Sequence, residues 1–213
     1  GELVVVDTEK YGLLEFEAVL HATGRRANTE GLGLENTDIE LRPNGTIVVD
    51  EFCQTAVENV FAVGDVNGGL QFTYVSLDDF RVVNGYLHGN KEYTTADRKN
   101  VPYSTFISPA LSHVGLHKEE AEAAYPNVAV ASLPVANMPR GAVNQDPRGL
   151  FRVTVDKDTN LILGATLFGK NSEEIINLIK MAIDNKIPYT YIRDQIFTHP
   201  TMAENLNDVF KLI

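Results

Sequence analysis

The sequence predicts an α/β region followed by an α+β region built on an antiparallel sheet, and three observations carry that prediction. A short apolar run, Val60-Phe61-Ala62-Val63, is stopped by Gly64-Asp65 and followed by a helical pattern over about residues 72–88, the strand, turn and helix order of an α/β unit. The stretch 88–100 is polar and charged, in the manner of a domain boundary. Beyond it, two β-rich runs at 150–155 and 161–168 are separated by the turn Lys157-Asp158-Thr159-Asn160, with helical patterns on either side.

Composition narrows the function. With 213 residues, 44% of them hydrophobic, the chain is long enough for one large or two ordinary domains. A formal net charge of -11 opposes contact with phosphate backbones and anionic lipid, so neither nucleic acid nor a membrane is an expected partner. No apolar run approaches the roughly 20 residues that cross a bilayer, and the amino terminus lacks a signal-type pattern, so a cytoplasmic protein is expected. Leu3-Val4-Val5-Val6 already lies inside a strand pattern, which suggests that the natural start is missing. The single cysteine, Cys53, allows no intrachain disulfide and no paired-cysteine metal site; it reads as an ordinary, partly buried thiol.

Taken in order, residues 3–7 and 14–20 are β-rich runs around Thr8-Glu9-Lys10-Tyr11-Gly12, which predicts a hairpin with Gly12 at the tight position. Ala22-Thr23-Gly24-Arg25 follows, where Gly24 either permits close backbone approach to a ligand or simply ends the strand. Residues 26–43 read as loop, anchored by Gly31-Leu32-Gly33-Leu34, and Asn44-Gly45 predicts a turn before a strand at 46–50. The run 60–63 predicts a fully buried strand with Asp65 at its carboxyl end. Ligands of open α/β sheets bind at that end, and a carboxylate there can accept hydrogen bonds from a sugar-like hydroxyl. In the next helix Phe80, Val83 and Leu87 share one face, with Val82 and Tyr86 beside them. Its start near Thr73 either offers free N–H groups and the positive dipole end to negative charge, or is simply capped by Thr73.

The second region should begin near Val101, with a strand at 103–107, a helix at 118–125 stopped by Pro126, and a strand at 128–133. Residues 137–148 read as a loop rich in Asn, Pro and Gly. After the strand pair, Asn171 with Glu174 predicts a capping box for a helix whose apolar face is Ile175, Leu178, Ile179 and Ala182. A short helix at 191–195 and another after Pro200 complete the pattern. Between them, Pro200 fixes its own φ and restricts His199 to an extended conformation. Glu204, five residues on and one turn into the last helix, can reach back to a ring nitrogen. That pairing fixes the tautomer and raises basicity, which suits a general base; the alternative is a surface histidine at a helix start.

The residues Thr55 to Asp65 closely resemble the second FAD-binding signature of the pyridine nucleotide-disulfide oxidoreductases, in which the acid, here Asp65, holds the ribityl chain. Ala22-Thr23-Gly24 resembles the family's crossover from the NAD(P)H domain to the FAD domain. His199-Pro200-Thr201 with Glu204 resembles the carboxy-terminal motif of glutathione reductase and dihydrolipoamide dehydrogenase, in which the His serves the redox cysteines of the partner subunit. The two motifs lie 134 positions apart, in the family's order. Ser108-Pro109 and Val114-Gly115 resemble the start of the dimerisation domain. The stretches 68–74, 98–104 and 193–200 point to a bacterial branch associated with resistance to reactive chlorine, whereas Phe197 stands where better-known members often carry another His.

The resemblance implies three parts: 1–25, the end of the NAD(P)H-binding domain; 26–99, the second segment of the FAD-binding domain; and 100–213, an α+β dimerisation domain. It implies FAD and NAD(P)H as cofactors, a homodimer through 100–213, and reduction of a small oxidant or disulfide, with hypothiocyanous acid or oxidised copper as candidates. Gly24, Gly64, Asp65, Phe72 and Thr73 are the implied cofactor contacts, and His199 with Glu204 the implied catalytic pair. The family's Gly-rich FAD loop, NAD(P)H loop and redox cysteine pair have no counterpart in this sequence, and Gly31-x-Gly33 is no substitute. The chain therefore reads as the carboxy-terminal part of such an enzyme. The alternatives are the glutathione reductase, dihydrolipoamide dehydrogenase or mercuric reductase branch, or a non-catalytic dimerisation module.

Overall fold

The computed structural model describes residues 3–213, and the chain divides into two compact units, Gly1–Tyr93 and Thr94–Ile213. In the first unit β1 (Val4–Thr8) pairs antiparallel with β2 (Gly12–Phe16), with Gly12 at φ +68 opposite Thr8, the predicted hairpin. β2 stops at Phe16, which pairs with Val4 at the start of β1, short of the expected Leu20.

Neither strand predicted at 46–50 nor that at 60–63 forms a ladder. Each run has an isolated bridge instead, Leu41 to Ile47 and Gln54 to Phe61. The turns follow one another so closely that the segments share only a few backbone hydrogen bonds, among them Val48 N–H to the Glu40 carbonyl at 2.9 Å and Ala62 N–H to the Cys53 carbonyl at 3.0 Å, before the chain bends again. The run 60–63 is consequently not buried: Val60 and Val63 are 37% and 41% exposed and Ala62 alone is inside. Cys53 is wholly buried, not partly so.

A 3-10 turn, Gly64–Asn67, leads to α1 (Thr73–Leu87). Its buried residues are Val75, Asp79 and Val82, while Phe80 and Leu87 lie 56% and 59% exposed, so the inward face is rotated from the one predicted. A hydrogen-bonded carboxylate, Asp79, decides the rotation, since burying it unpaired would cost more than exposing a phenylalanine.

The second unit is a five-stranded antiparallel sheet in the order β3-β4-β7-β6-β5, from β3 (Tyr103–Thr105), β4 (Leu111–Gly115), β5 (Val128–Pro134), β6 (Leu150–Asp156) and β7 (Leu161–Phe168). Helices α2 (Lys118–Ala124), α3 (Pro139–Val143), α4 (Ser172–Asp184), α5 (Tyr189–Asp194) and α6 (Asn205–Phe210) accompany it. Strands β6 and β7 and helix α2 fall where the sequence puts them. The mixed α/β character and the antiparallel sheet are as expected.

Strand β4 has no counterpart in the prediction, and α3 interrupts the expected loop. In β4, Ser112, His113 and Val114 are all buried, so the strand lacks the apolar alternation that marks one in a sequence. Its polar groups are satisfied internally: Ser104 Oγ lies 2.8 Å from Ser112 Oγ, which lies 3.0 Å from Ser172 Oγ, which donates to the Ala110 carbonyl at 2.8 Å. Asn171 is the N-cap of α4 but sits at φ +63 with no side-chain cap bond, so the predicted capping box does not form. The inward face of α4 is Ile175, Ile176, Ile179 and Ala182, and Leu178 is 42% exposed. These pack with Phe151, Val153, Leu167, Leu206 and Phe210 into one core.

Candidate functional site

In the first unit the Thr55 stretch is a tight loop. The Val57 N–H donates to Thr55 Oγ1 at 3.1 Å, the Thr55 N–H reaches the Val60 carbonyl at 2.8 Å, and the Ala62 N–H reaches the Cys53 carbonyl at 3.0 Å. The chain thus doubles back and delivers Gly64-Asp65 to the start of the 3-10 turn. Gly64 has φ +74, and a Cβ there would stand 2.7 Å from Ser76 Oγ, so only glycine fits against α1.

The Asp65 side chain is 49% exposed, with an Arg25 guanidinium nitrogen 3.4 Å from Oδ2. At that distance and exposure the pair is weak, and the carboxylate remains able to accept from a hydroxyl. Gly24 has φ +132, and an added Cβ would meet nothing within 4 Å. Helix α1 starts at Thr73 with Phe72 as N-cap and no side-chain capping bond, so Thr73 is the first helical residue and not its cap. The Val75 and Ser76 N–H groups turn to the Phe72 carbonyl. The turn and the helix start together present one acceptor carboxylate and the positive end of a helix dipole.

Three residues that sequence reasoning passed over hold this arrangement. Asp79 Oδ2 accepts from the Gly64 N–H at 2.7 Å and from Asn67 Nδ2 at 2.9 Å. Arg42 Nη1 donates to the Asn67 carbonyl at 2.7 Å and the Ile47 carbonyl at 2.9 Å. An acid set between Val75 and Val82 on one helical face was the signal available for Asp79.

In the second unit His199 Nδ1 lies 2.8 Å from Glu204 Oε2, with the imidazole 71% exposed and the Glu204 side chain 14% exposed. A carboxylate only accepts, so Nδ1 is the donor, and in the neutral imidazole the lone pair is on Nε2. Glu204 is the N-cap of α6 and not a turn inside it, because residues 200–203 form a bend. That bend is tied by the Thr201 N–H to Glu204 Oε1 at 3.2 Å, the Glu204 N–H to Thr201 Oγ1 at 3.2 Å, and Thr201 Oγ1 to the Thr198 carbonyl at 2.8 Å. Met202 and Leu206, both in the core, anchor it from below. The His199-Pro200 peptide is cis. Phe197 packs against the same core, whereas Ile196 is 99% exposed. A groove lined by Asn171, Ile175, Leu178, Thr201 and Ala203 runs between α4 and the bend.

Among the described residues no three His, Cys, Asp or Glu side chains form a metal-holding group, and no helix is long and apolar enough to cross a membrane.

Residues 101–210 match the dimerisation domain of the pyridine nucleotide-disulphide oxidoreductases, and residues 1–79 match the family described as pyridine nucleotide-disulphide oxidoreductase. The chain is 47% identical over 204 residues to the probable pyridine nucleotide-disulfide oxidoreductase RclA of Escherichia coli, covering 96% of this chain and 46% of that protein. It is 34% identical over 191 residues to the glutathione reductase of Burkholderia cepacia, covering 90% and 42%. The solved HOCl-induced flavoprotein disulfide reductase RclA of Escherichia coli superposes with a TM-score of 0.94 at 46% identity, over 99% of this chain and 48% of that one. The chain therefore spans about half the length of the relatives it matches. With the dimerisation-domain match extending over more than half of its residues, the chain belongs to the pyridine nucleotide-disulphide oxidoreductase family.

Proposed function

We propose that this chain is the carboxy-terminal part of an FAD-dependent NAD(P)H oxidoreductase that reduces a small oxidant or disulfide through a cysteine pair lying upstream. In this reading 1–25 ends the NAD(P)H domain, 26–99 is the second FAD segment and 100–213 is the dimerisation domain. The higher identity to RclA than to glutathione reductase favours the reactive-chlorine branch. Candidate oxidants are hypothiocyanous acid and oxidised copper; the Escherichia coli relative has been solved as a Cu(II) complex.

The residues fit a flavin. A half-exposed carboxylate on a fixed turn, beside the uncapped start of a 15-residue helix, suits a ligand with a hydroxylated chain and an edge that takes negative charge. Asp65 would hold the ribityl hydroxyls, Gly64 would let that turn sit against α1, Phe72 and Thr73 would face the pyrimidine edge, and Gly24 would let the backbone pass close by. Bound FAD supplies two-electron transfer from NAD(P)H to the cysteine pair.

The observation that carries the catalytic reading is the 2.8 Å His199 to Glu204 contact with Nε2 left open. In a two-fold dimer His199 would take the proton that a partner-subunit thiol loses on attacking the oxidant, and Glu204 would steady the resulting imidazolium. The exposed apolar residues of α4, Leu178 and Met181, beside the groove next to the bend, support dimerisation through this face. In the complete enzyme His199→Ala should slow turnover roughly 10²–10⁴-fold, the usual range for general acid–base catalysis, and leave stopped-flow flavin reduction nearly unchanged. Glu204→Gln should give a smaller loss. Wild-type turnover in both variants would reject the role.

A further inference from the structure

Asp79 is 1% exposed in the middle of α1, and burying a carboxylate is costly unless its hydrogen bonds compensate. Two donors to its Oδ2 come from the turn that carries Asp65: the N–H of Gly64, immediately before it, and Nδ2 of Asn67, two residues after it. Asn67 is held on its other sides as well. Its Nδ2 also reaches the Ala62 carbonyl at 3.3 Å, its Oδ1 accepts from the Gly69 N–H at 3.0 Å, and its carbonyl accepts from Arg42. Because Asp79 belongs to the helix that begins at Thr73, the same oxygen also fixes where that helix starts relative to the turn.

We propose that Asp79 is a positioning residue for the flavin: its buried carboxylate ties the Gly64–Asn67 turn to α1, so that the Asp65 carboxylate and the helix start are presented at one fixed separation. This rests on the reading of Asp65 and the α1 start as flavin contacts. A ligand that touches both gains most when neither has to be ordered at the moment of binding. Replacing Asp79 by an apolar residue would leave the Gly64 N–H and Asn67 Nδ2 without this acceptor, and the two contacts would shift independently.

The experiment compares four variants of the complete flavoenzyme, its upstream segments included, by FAD dissociation constant, bound-flavin absorbance and thermal melting. Asp79→Ala should weaken FAD binding roughly 10–100-fold and alter the flavin spectrum, the scale seen when a group that orients a ligand's contacts is lost. Asp79→Asn, which keeps an acceptor oxygen in place, should recover most of the affinity. Val82→Ala removes a residue as deeply buried on the same helix and should lower the melting temperature while leaving FAD affinity within about threefold. Asp65→Ala tests the underlying reading and should weaken FAD whatever Asp79 does.

Wild-type affinity in Asp79→Ala beside weakened binding in Asp65→Ala would overturn the proposal and leave the Asp65 reading standing. Unchanged binding in Asp65→Ala would overturn both. Equal weakening by Val82→Ala would show that α1 stability alone is at issue, and the proposal would fail. Should Asp79→Ala not fold, Asn67→Ala, which removes one of the two donors, must loosen FAD at least severalfold; unchanged affinity there would overturn the proposal too.

Discussion

In Thr94–Ile213, Phe151, Leu167, Ile176, Leu206 and Phe210 are all within 1% of complete burial and belong to one continuous apolar core. In Gly1–Tyr93 the large apolar residues lie mostly outside: Leu13 is 70% exposed, Leu20 90% and Phe80 56%, and among the described residues the buried apolar set is Ile47, Cys53, Ala62, Val75 and Val82. The turn that carries Asp65 is held in the first unit by polar ties from Asp79, Asn67 and Arg42. Apolar content is thus a poor guide to cohesion. In the first unit both predicted single strands reduce to one bridge each, and Val60 and Val63 stay outside.

The comparison can be broken most forcefully with two phenylalanines. Phe151→Ala opens a cavity in the second unit and should cost about 3–5 kcal/mol, read as a lower denaturation midpoint of that unit. A loss under about 1 kcal/mol would mean that the continuous core does not carry the unit. A smaller effect is expected from acid. Burial holds His113 below its usual 6.5 and the nearby His117 pushes the same way, against its hydrogen bond to the Gly115 carbonyl and the Glu120 charge. The folded state therefore refuses a proton that the unfolded chain accepts. Stability is full above pH 6.5 and is lost as pH falls from there through the depressed folded value. Thermal melts of the second unit should fall across that window, and His113→Gln should flatten the fall; identical slopes would remove His113 from the account. The smallest effect should come from Phe80→Ala in the first unit, within about 0.5 kcal/mol as for exposed positions generally. A loss comparable to that of Phe151→Ala would show that exposure understates what Phe80 holds in solution.

The elements that the sequence predicts well in extent are β6 and β7, continuous β-rich runs around a clear turn, α2, stopped just before Pro126, and the amphipathic α4 and α1. Their errors are of rotation, as when Asp79 rather than Phe80 faces inward, because a carboxylate with two donors outweighs an exposed ring and periodicity does not see donors. Strand β4 escapes for a related reason: Ser112 and His113 have partners on α4 and β7, sixty and fifty-three residues along the chain, besides Ser104 on the neighbouring β3. The His199 and Glu204 pair is legible because the two residues flank one short bend only five positions apart, whose geometry Pro200 and Thr201 largely dictate. The tie from Asp79 to Gly64 spans fifteen residues and depends on how a turn packs on a helix, which spacing alone does not reveal.

The serine chain through Ser104, Ser112 and Ser172 has a grain. Each hydroxyl has one proton, and Ser172 gives its own to the Ala110 carbonyl. Ser112 must then point its proton at Ser172, and Ser104 at Ser112. The three dipoles run head to tail in one sense, from the short rim strand β3 to the first residue of α4, and reversing any one of them would break a link of the line. The outermost member is half-buried and unremarkable as a surface serine, yet it is the first link of a one-way line, and the footing of the longest helix in the unit is set from the edge of the sheet inward.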